Sequence, residues 1–443
     1  MLSVYRNMFK VPDLRNKILF TLYIVLLYRI GAAIPSPGVD PEAVQAITEG
    51  GEQNGIIGLL SLFSGGALEQ LSVFALGVIP YITASIIMQL LTGVIPRLQK
   101  MQEEGEGHRI TQWTRYATVV LAVLQAFGFT FLFRSGSLTG GINPITNDNA
   151  GTILLVVVTM TAGTALVMWL AELITQRGIG NGMSLLIFIN IVSALPGQFG
   201  IARQTSSSIW IFVLLVIIVL LMVVGIIFVE QGQRRIPIRF AKRVRGRRVM
   251  GGNTTYIPLK VNNAGVIPVI FAVSVLAFPA ILVTIVPSSS DFWVSIRNFI
   301  NDFSAAGSTG ISSTGGLVST GMQTLYISIL FLLVVFFTYF YTALQFDPTK
   351  QAEQVQRQGG YIQGIRPGRP TAEHLEKVIS RITLPGAVFL GVIAILPAVL
   401  SAIFNIQFGF GGTSILIVVG VALETMKQVE SQLMMRDYDG FLA

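Results

Sequence analysis

The chain has 443 residues, 52% of them hydrophobic and 12% charged, and a soluble domain of that size could not hide so much apolar surface. Zero cysteines exclude a disulfide framework and a thiolate metal site, and with only His108 and His374 a histidine-rich metal or proton-relay centre is excluded too. A net charge of +8 would suggest nucleic acid in a soluble protein, but here the placement of the charge reads as membrane topology.

Residues 1–17 carry scattered basic residues and a proline, with no convincing small-residue cleavage site after the apolar run that follows, and read as an uncleaved amphipathic cytoplasmic segment. An apolar segment needs about 20 residues to span a bilayer. Ten candidates follow in order: 18–34, 72–95, 116–133, 152–174, 184–199, 209–228, 264–286, 324–346, 378–404 and 413–429. With the N-terminus inside, 26 of the 30 basic residues fall on inner segments, nine of them in the loop 231–260. A second large inner loop covers 347–377, and the tail 431–443 also ends inside. The outer loop 35–55 carries Asp40, Glu42, Glu49 and Glu52 without a basic residue, and 304–321 is a Gly/Ser/Thr-rich outer loop.

Between the first two runs lies GIIGLLSLFSGGALEQL, 55–71, apolar but too short to span and broken at Gly65 and Gly66. Such a segment must be covered by protein or line a cavity, because lipid cannot satisfy a broken backbone. A plug at about 56–70, folded into a pore, fits; so does a helix lying at the membrane surface. GVIPYI (77–82) and GVIPVI (265–270) then open the second and seventh runs, 188 residues apart. Five spans per half is an odd number, so halves at 18–200 and 209–430 would run in opposite directions, as in inverted repeats. Chance similarity of two apolar helix starts is the competing account, since proline is common in a first turn. The fifth and tenth runs both read as short and glycine-flanked, by GIGNG and GFGGT, which marks either a functional centre or two tilted helices.

Intramembrane charge is scarce: Arg29 near the outer end of the first run, Glu172 near the inner end of the fourth and Glu424 toward the inner end of the tenth. An ion-coupled transporter or intramembrane protease usually needs a buried ionisable group near the midplane. No GxxxxGK[ST], HExxH or GxSxG is present, so any motor would be another protein. The residues alone describe an all-α polytopic membrane protein of ten transmembrane helices in two inverted pseudo-symmetric halves, with a re-entrant plug helix and a basic inner face.

Four stretches, GVIPYITASIIMQLL (77–91), ITQRGIGNGMSLLIF (174–188), PLKVNNAGVIPVIFA (258–272) and GIRPGRPT (364–371), resemble the SecY family of bacterial protein-translocation channels, and the resemblance runs nearly the whole chain. It implies a non-enzymatic, cofactor-free channel in the bacterial cytoplasmic membrane, both termini inside, that passes unfolded secretory chains and releases apolar segments sideways into lipid. It implies a pore ring of Val78, Ile82, Ile187, Ile191, Ile270 and Ile417. Branched aliphatic side chains there would exclude water yet grip a polypeptide weakly. The second and seventh helices would form a lateral gate, with Thr83, Gln125 and Asn262 as a polar cluster hydrogen-bonded across it. Arg247 and Arg248, in a loop dense enough in charge to meet anionic lipid, RNA phosphates or an acidic partner, and Arg366 in GIRPG would contact SecA or the ribosome. SecE, SecG, signal sequences and membrane lipid complete the partners. An inverted-repeat secondary transporter of a small solute is the alternative.

Overall fold

Each predicted apolar run is built around one helix in a computed structural model that describes residues 11–40, 42–44, 64–68, 70–134, 143–145, 149–206, 208–240, 243–245, 248–250, 254–285, 291–306, 320–404 and 412–439. In chain order the helices are α1 (Pro12–Ala33), α2 (Ile79–Val94), α3 (Pro96–Glu103), α4 (Gly107–Arg134), α5 (Ala150–Arg177), α6 (Gly182–Thr205) and α7 (Ile209–Gln231). After a stretch of strands come α8 (Ile267–Ile285), α9 (Asp291–Ala306), α10 (Thr320–Gln345), α11 (Pro348–Arg357), α12 (Arg369–Phe404) and α13 (Gly412–Asp439). Eight helical stretches among the described residues are long and apolar enough to cross a membrane, so this is a multi-pass membrane protein. The second and seventh predicted spans correspond to α2, with 16 residues, and α8, with 19. All four tryptophans, Trp113, Trp169, Trp210 and Trp293, are exposed on the protein, as expected of side chains that anchor at membrane interfaces.

Several expectations need correction. The second helix begins at Ile79, because 72–78 run as turns tied back to the first loop by the Val73 N–H donating to the Ile34 carbonyl at 2.9 Å. The fifth and tenth helices are not short: α6 has 24 residues and continues through Pro196, and α13 has 28 and runs on into the tail. Neighbouring helices and polar partners can re-satisfy the backbone group that Pro196 frees, so proline is a poor stop signal in a membrane helix. α9 is an amphipathic helix that the apolar runs did not announce.

The loops that follow α7 and α10 are also not plain connections. β1 (Gln233–Phe240) pairs antiparallel with β4 (Thr254–Lys260) on one edge and with β5 (Gly360–Ile362) on the other, and β2 (Arg243–Arg245) pairs with β3 (Arg248–Met250). Ile236 and Ile238 alternate with Arg235 and Arg239, the period-2 pattern of a half-buried strand. Their buried face packs with Leu259, Ile362 and Leu375, while Arg235, Arg239, Tyr256 and Tyr361 face water.

Packing repeats between the two ends of the chain. α4 lies between α2 and α5, and α5 packs on α6; likewise α10 lies between α8 and α12, and α12 packs on α13. The two GVIP segments start their helices alike, with Gly77 at φ 53 and Gly265 at φ 65, left-handed conformations that glycine adopts without penalty. α2 and α8 then begin at the same isoleucine of the motif, Ile79 and Ile267. Gly182 and Gly412, at the starts of α6 and α13, press against the carbonyls of Ala171 and Ile393 on the preceding helices. The two helix sets meet on two sides: α8 against α4 and α2, and α6 against α13 and α7.

Candidate functional site

The ring residues come from the N-cap of α2 (Val78), its first turn (Ile82), α6 (Ile187, Ile191), α8 (Ile270) and α13 (Ile417). Five of the six are buried, Ile82 is half-buried, and all six belong to or pack against one apolar cluster. The Ile82 N–H donates to the Val78 carbonyl at 3.1 Å, which stacks this pair one turn apart; Ile187 and Ile191 are stacked in the same way along α6.

The gate cluster is arranged differently from expectation. Thr83 donates to the Ile79 carbonyl of its own helix at 3.0 Å, and Gln125 is buried on α4 with its Oε1 unpartnered. Asn262, also buried, uses Nδ2 to donate to Glu230 Oε2 at 2.8 Å and to the Gly265 carbonyl at 3.0 Å. No hydrogen bond joins Thr83, Gln125 and Asn262 to one another. Asn262 Nδ2 instead bonds within the second helix set, tying the end of α7 to the turn that starts α8, while its buried Oδ1 has no partner. Glu230 is a half-buried carboxylate that the sequence reading passed over, because it sits immediately after the long apolar run of α7. Its position between Val229 and Gln231, at an inner helix end facing the VNN segment, was the available signal.

The other intramembrane charges are accounted for. Arg115 on α4 grips Glu172 on α5 with two bonds of 2.7 Å, Nε to Oε1 and Nη2 to Oε2, a forked geometry that holds the two helices in register. Glu424 is exposed. Arg366 lies exposed in a turn bounded by Gly364 and Gly368, both left-handed, and the Thr371 hydroxyl donates to its carbonyl at 2.9 Å. Arg248 opens β3 opposite Arg245, while Arg247 lies outside the described residues, as do 1–10, most of the 304–321 loop and most of the 56–70 segment.

Between α2, α3, α4 and the α10–α11 corner lies a cleft of about 840 Å³. Ser85, Gln89, Thr92, Thr111, Thr114 and Gln345 line it, together with Asp347 and Lys350 at the α10–α11 corner, which lie within 3.7 Å of each other. α2 and α3 meet there at a bend of 103°.

The SecY family profile matches residues 72–426. A protein translocase subunit SecY from Streptomyces scabiei is 49% identical over 454 residues, and one from Mycobacterium tuberculosis is 48% identical over 453, each alignment covering 100% of both chains. Among solved structures, one described as showing that the plug domain of SecY stabilises the closed translocation channel superposes with a TM-score of 0.62 at 19% identity, over 94% of this chain and 91% of that one. Sec61 from a canine ribosome-channel complex superposes with a TM-score of 0.58 at 17% identity, with the same coverage.

Proposed function

The chain belongs to the SecY family and is a channel subunit of a protein translocase, not an enzyme, and we propose that its two helix sets pass unfolded secretory chains between them. The carrying observation is that Val78, Ile82, Ile187, Ile191, Ile270 and Ile417, drawn from both sets, all belong to or pack against the main apolar core that the two sets share. Such a gasket excludes water when closed. It also deforms around any polypeptide, because aliphatic contact is weak and non-directional. The halves 18–200 and 209–430 act as the two jaws. The duplicated GVIP starts and the repeated neighbour order support this division.

The lateral gate runs where α8 faces α4 and α2, and an apolar signal segment that wedges there can leave for lipid. Such a segment gains roughly 0.3 to 0.6 kcal/mol per apolar residue on an insertion scale, comparable with the few helix–helix contacts it displaces. Segment 56–70 serves as the plug. The membrane is the bacterial cytoplasmic membrane, with both termini and the basic sheet inside, a placement favoured by the charge asymmetry. SecA with ATP, or the translating ribosome, supplies the drive through Arg247, Arg248 and Arg366, with SecE and SecG as companion subunits. The exposed Arg366 turn suits such a contact, and a fold neighbour is described in complex with a ribosome.

The test is ATP-dependent protection of a secretory precursor in proteoliposomes holding this chain, its small partners and SecA, with and without Arg366→Glu. Protection that Arg366→Glu abolishes supports both the channel and its motor contact. A SecA-bound complex that protects nothing refutes the channel assignment.

A further inference from the structure

The first helix set contains a polar seat that neither ring nor gate uses. Tyr28 on α1 is fully buried and stacks on Phe74 with 5.6 Å between ring centroids. Its hydroxyl accepts a hydrogen bond from Asn190 Nδ2 at 2.7 Å. Asn190 is fully buried on α6, next in sequence to Ile191 of the ring and one turn from Ile187. Beside Tyr28, Arg29 donates from Nη1 to the Gly65 carbonyl at 3.3 Å.

Gly65 and Gly66 are both left-handed, at φ 67 and 86. A Cβ added to Gly65 would lie 2.8 Å from Asn190 Oδ1 and 2.9 Å from Arg29 Nη1, closer than real Cβ atoms come. Backbone conformation and space therefore both demand glycine at this position. Beyond the turn, the Leu68 N–H donates to Ser64 Oγ at 3.1 Å and the Ser72 N–H to the Ala67 carbonyl at 3.0 Å, so the seated turn is continuous with the chain that leads into α2.

Resting on the reading of 56–70 as the plug, we propose that Tyr28, Arg29 and Asn190 are positioning residues that seat the Gly65–Gly66 end of that segment and hold the resting channel closed. Arg29, half-buried near the outer end of α1, places its charge beside this turn and meets a backbone carbonyl there, so the turn supplies one of the polar contacts that such a group needs. Asn190 links seat to ring. α6 cannot carry Ile187 and Ile191 outward without dragging the wall against which Gly65 rests, so opening the ring and loosening the plug's root are one motion.

The chain has no cysteine, so a single Ala67→Cys substitution, at a position 1% exposed, reports on the seat without background. In the complete translocase reconstituted in lipid, Arg29→Met and Gly65→Ala should each speed thiol modification at that site on the order of tenfold, the effect of losing one hydrogen bond or close contact. Both should also raise resting ion conductance and increase translocation of a precursor with a weakened signal sequence; general damage to the fold would lower that translocation. A chain lacking residues 57–63 is the companion variant. If it leaks while Arg29→Met and Gly65→Ala change neither labelling nor conductance, the seat is overturned and the plug reading stands. If labelling speeds up but neither the substitutions nor the deletion raises conductance, the plug reading fails and the seat's role in closure falls with it.

Discussion

Replacing Ile82 and Ile187 together by glycine tests the gasket against a matched control on the same two helices. Ile187 is 3% exposed, and Ile82 packs against the same cluster. Each substitution deletes four side-chain carbons, and at about 0.8 kcal/mol per buried carbon group that removes ~3 kcal/mol of water exclusion at Ile187 and less at the half-buried Ile82. Each also costs about 1 kcal/mol of helix propensity. The control pair, Ile87→Gly with Val192→Gly, removes side chains that are 39% and 38% exposed on α2 and α6. It carries the same helix cost but takes far less out of the cluster. The ring pair should therefore raise the resting ion conductance of the complex in a planar bilayer at least tenfold over the control pair, since about 1.4 kcal/mol off a barrier suffices for that factor. Equal leakage from both double variants would refute the ring assignment.

Other consequences follow from single contacts. Arg115→Met leaves Glu172 unpaired between α4 and α5 and should destabilise the subunit by roughly 1–2 kcal/mol, a figure discounted because Arg115 is 40% exposed. Adding Glu172→Gln should recover most of that loss in a thermal-unfolding assay, and a double variant as unstable as the single would contradict the pairing. Asn262→Ala removes both bonds that fix the start of α8, so its melting midpoint should fall further than that of Glu230→Gln, which keeps an acceptor of the same shape; the reverse order would disprove the tie. Gly163→Ala drives a methyl into the Val73 carbonyl and should lower stability by about 1–3 kcal/mol, visible as loss of folded protein after detergent extraction. Wild-type yield at that position would show that α5 can move aside. Arg366→Glu should cut SecA-dependent transport yet leave resting conductance unchanged, and a leak would place Arg366 in the seal instead of the motor contact.

The apolar runs were legible because lipid demands long apolar stretches, a signal that needs no knowledge of tertiary packing, and among the described residues eight of them hold a helix long and apolar enough to span. The duplicated GVIP was legible for a similar reason: a left-handed glycine followed by proline in the first helical turn is a local geometry, written in consecutive residues. Length failed where local rules yield to neighbours, as at Pro196 inside α6. The sheet was hidden by its own charge. Ile236 and Ile238 carry the strand period, but the arginines around them drew attention to topology and partners. Asn262 was singled out only through the family resemblance, and its partner was not legible at all, because the bond to Glu230 spans 32 residues and depends on how α7 ends. The ring was named only through family resemblance: an isoleucine in a membrane helix looks the same in sequence whether it faces lipid, a neighbour or a pore.

The β4-β1-β5 sheet gives its end of the helix bundle a mechanical character. β1 continues directly from α7, β4 leads into α8, and β5 lies between α11 and α12, so one sheet splices together the inner ends of three helices of the second set. A load applied at either basic loop is shared by backbone hydrogen bonds before it reaches the bilayer. A partner pulling on these loops would therefore move the three helices together, and the strain would fall where α8 abuts α4 and α2, a seam that no strand bridges among the described residues.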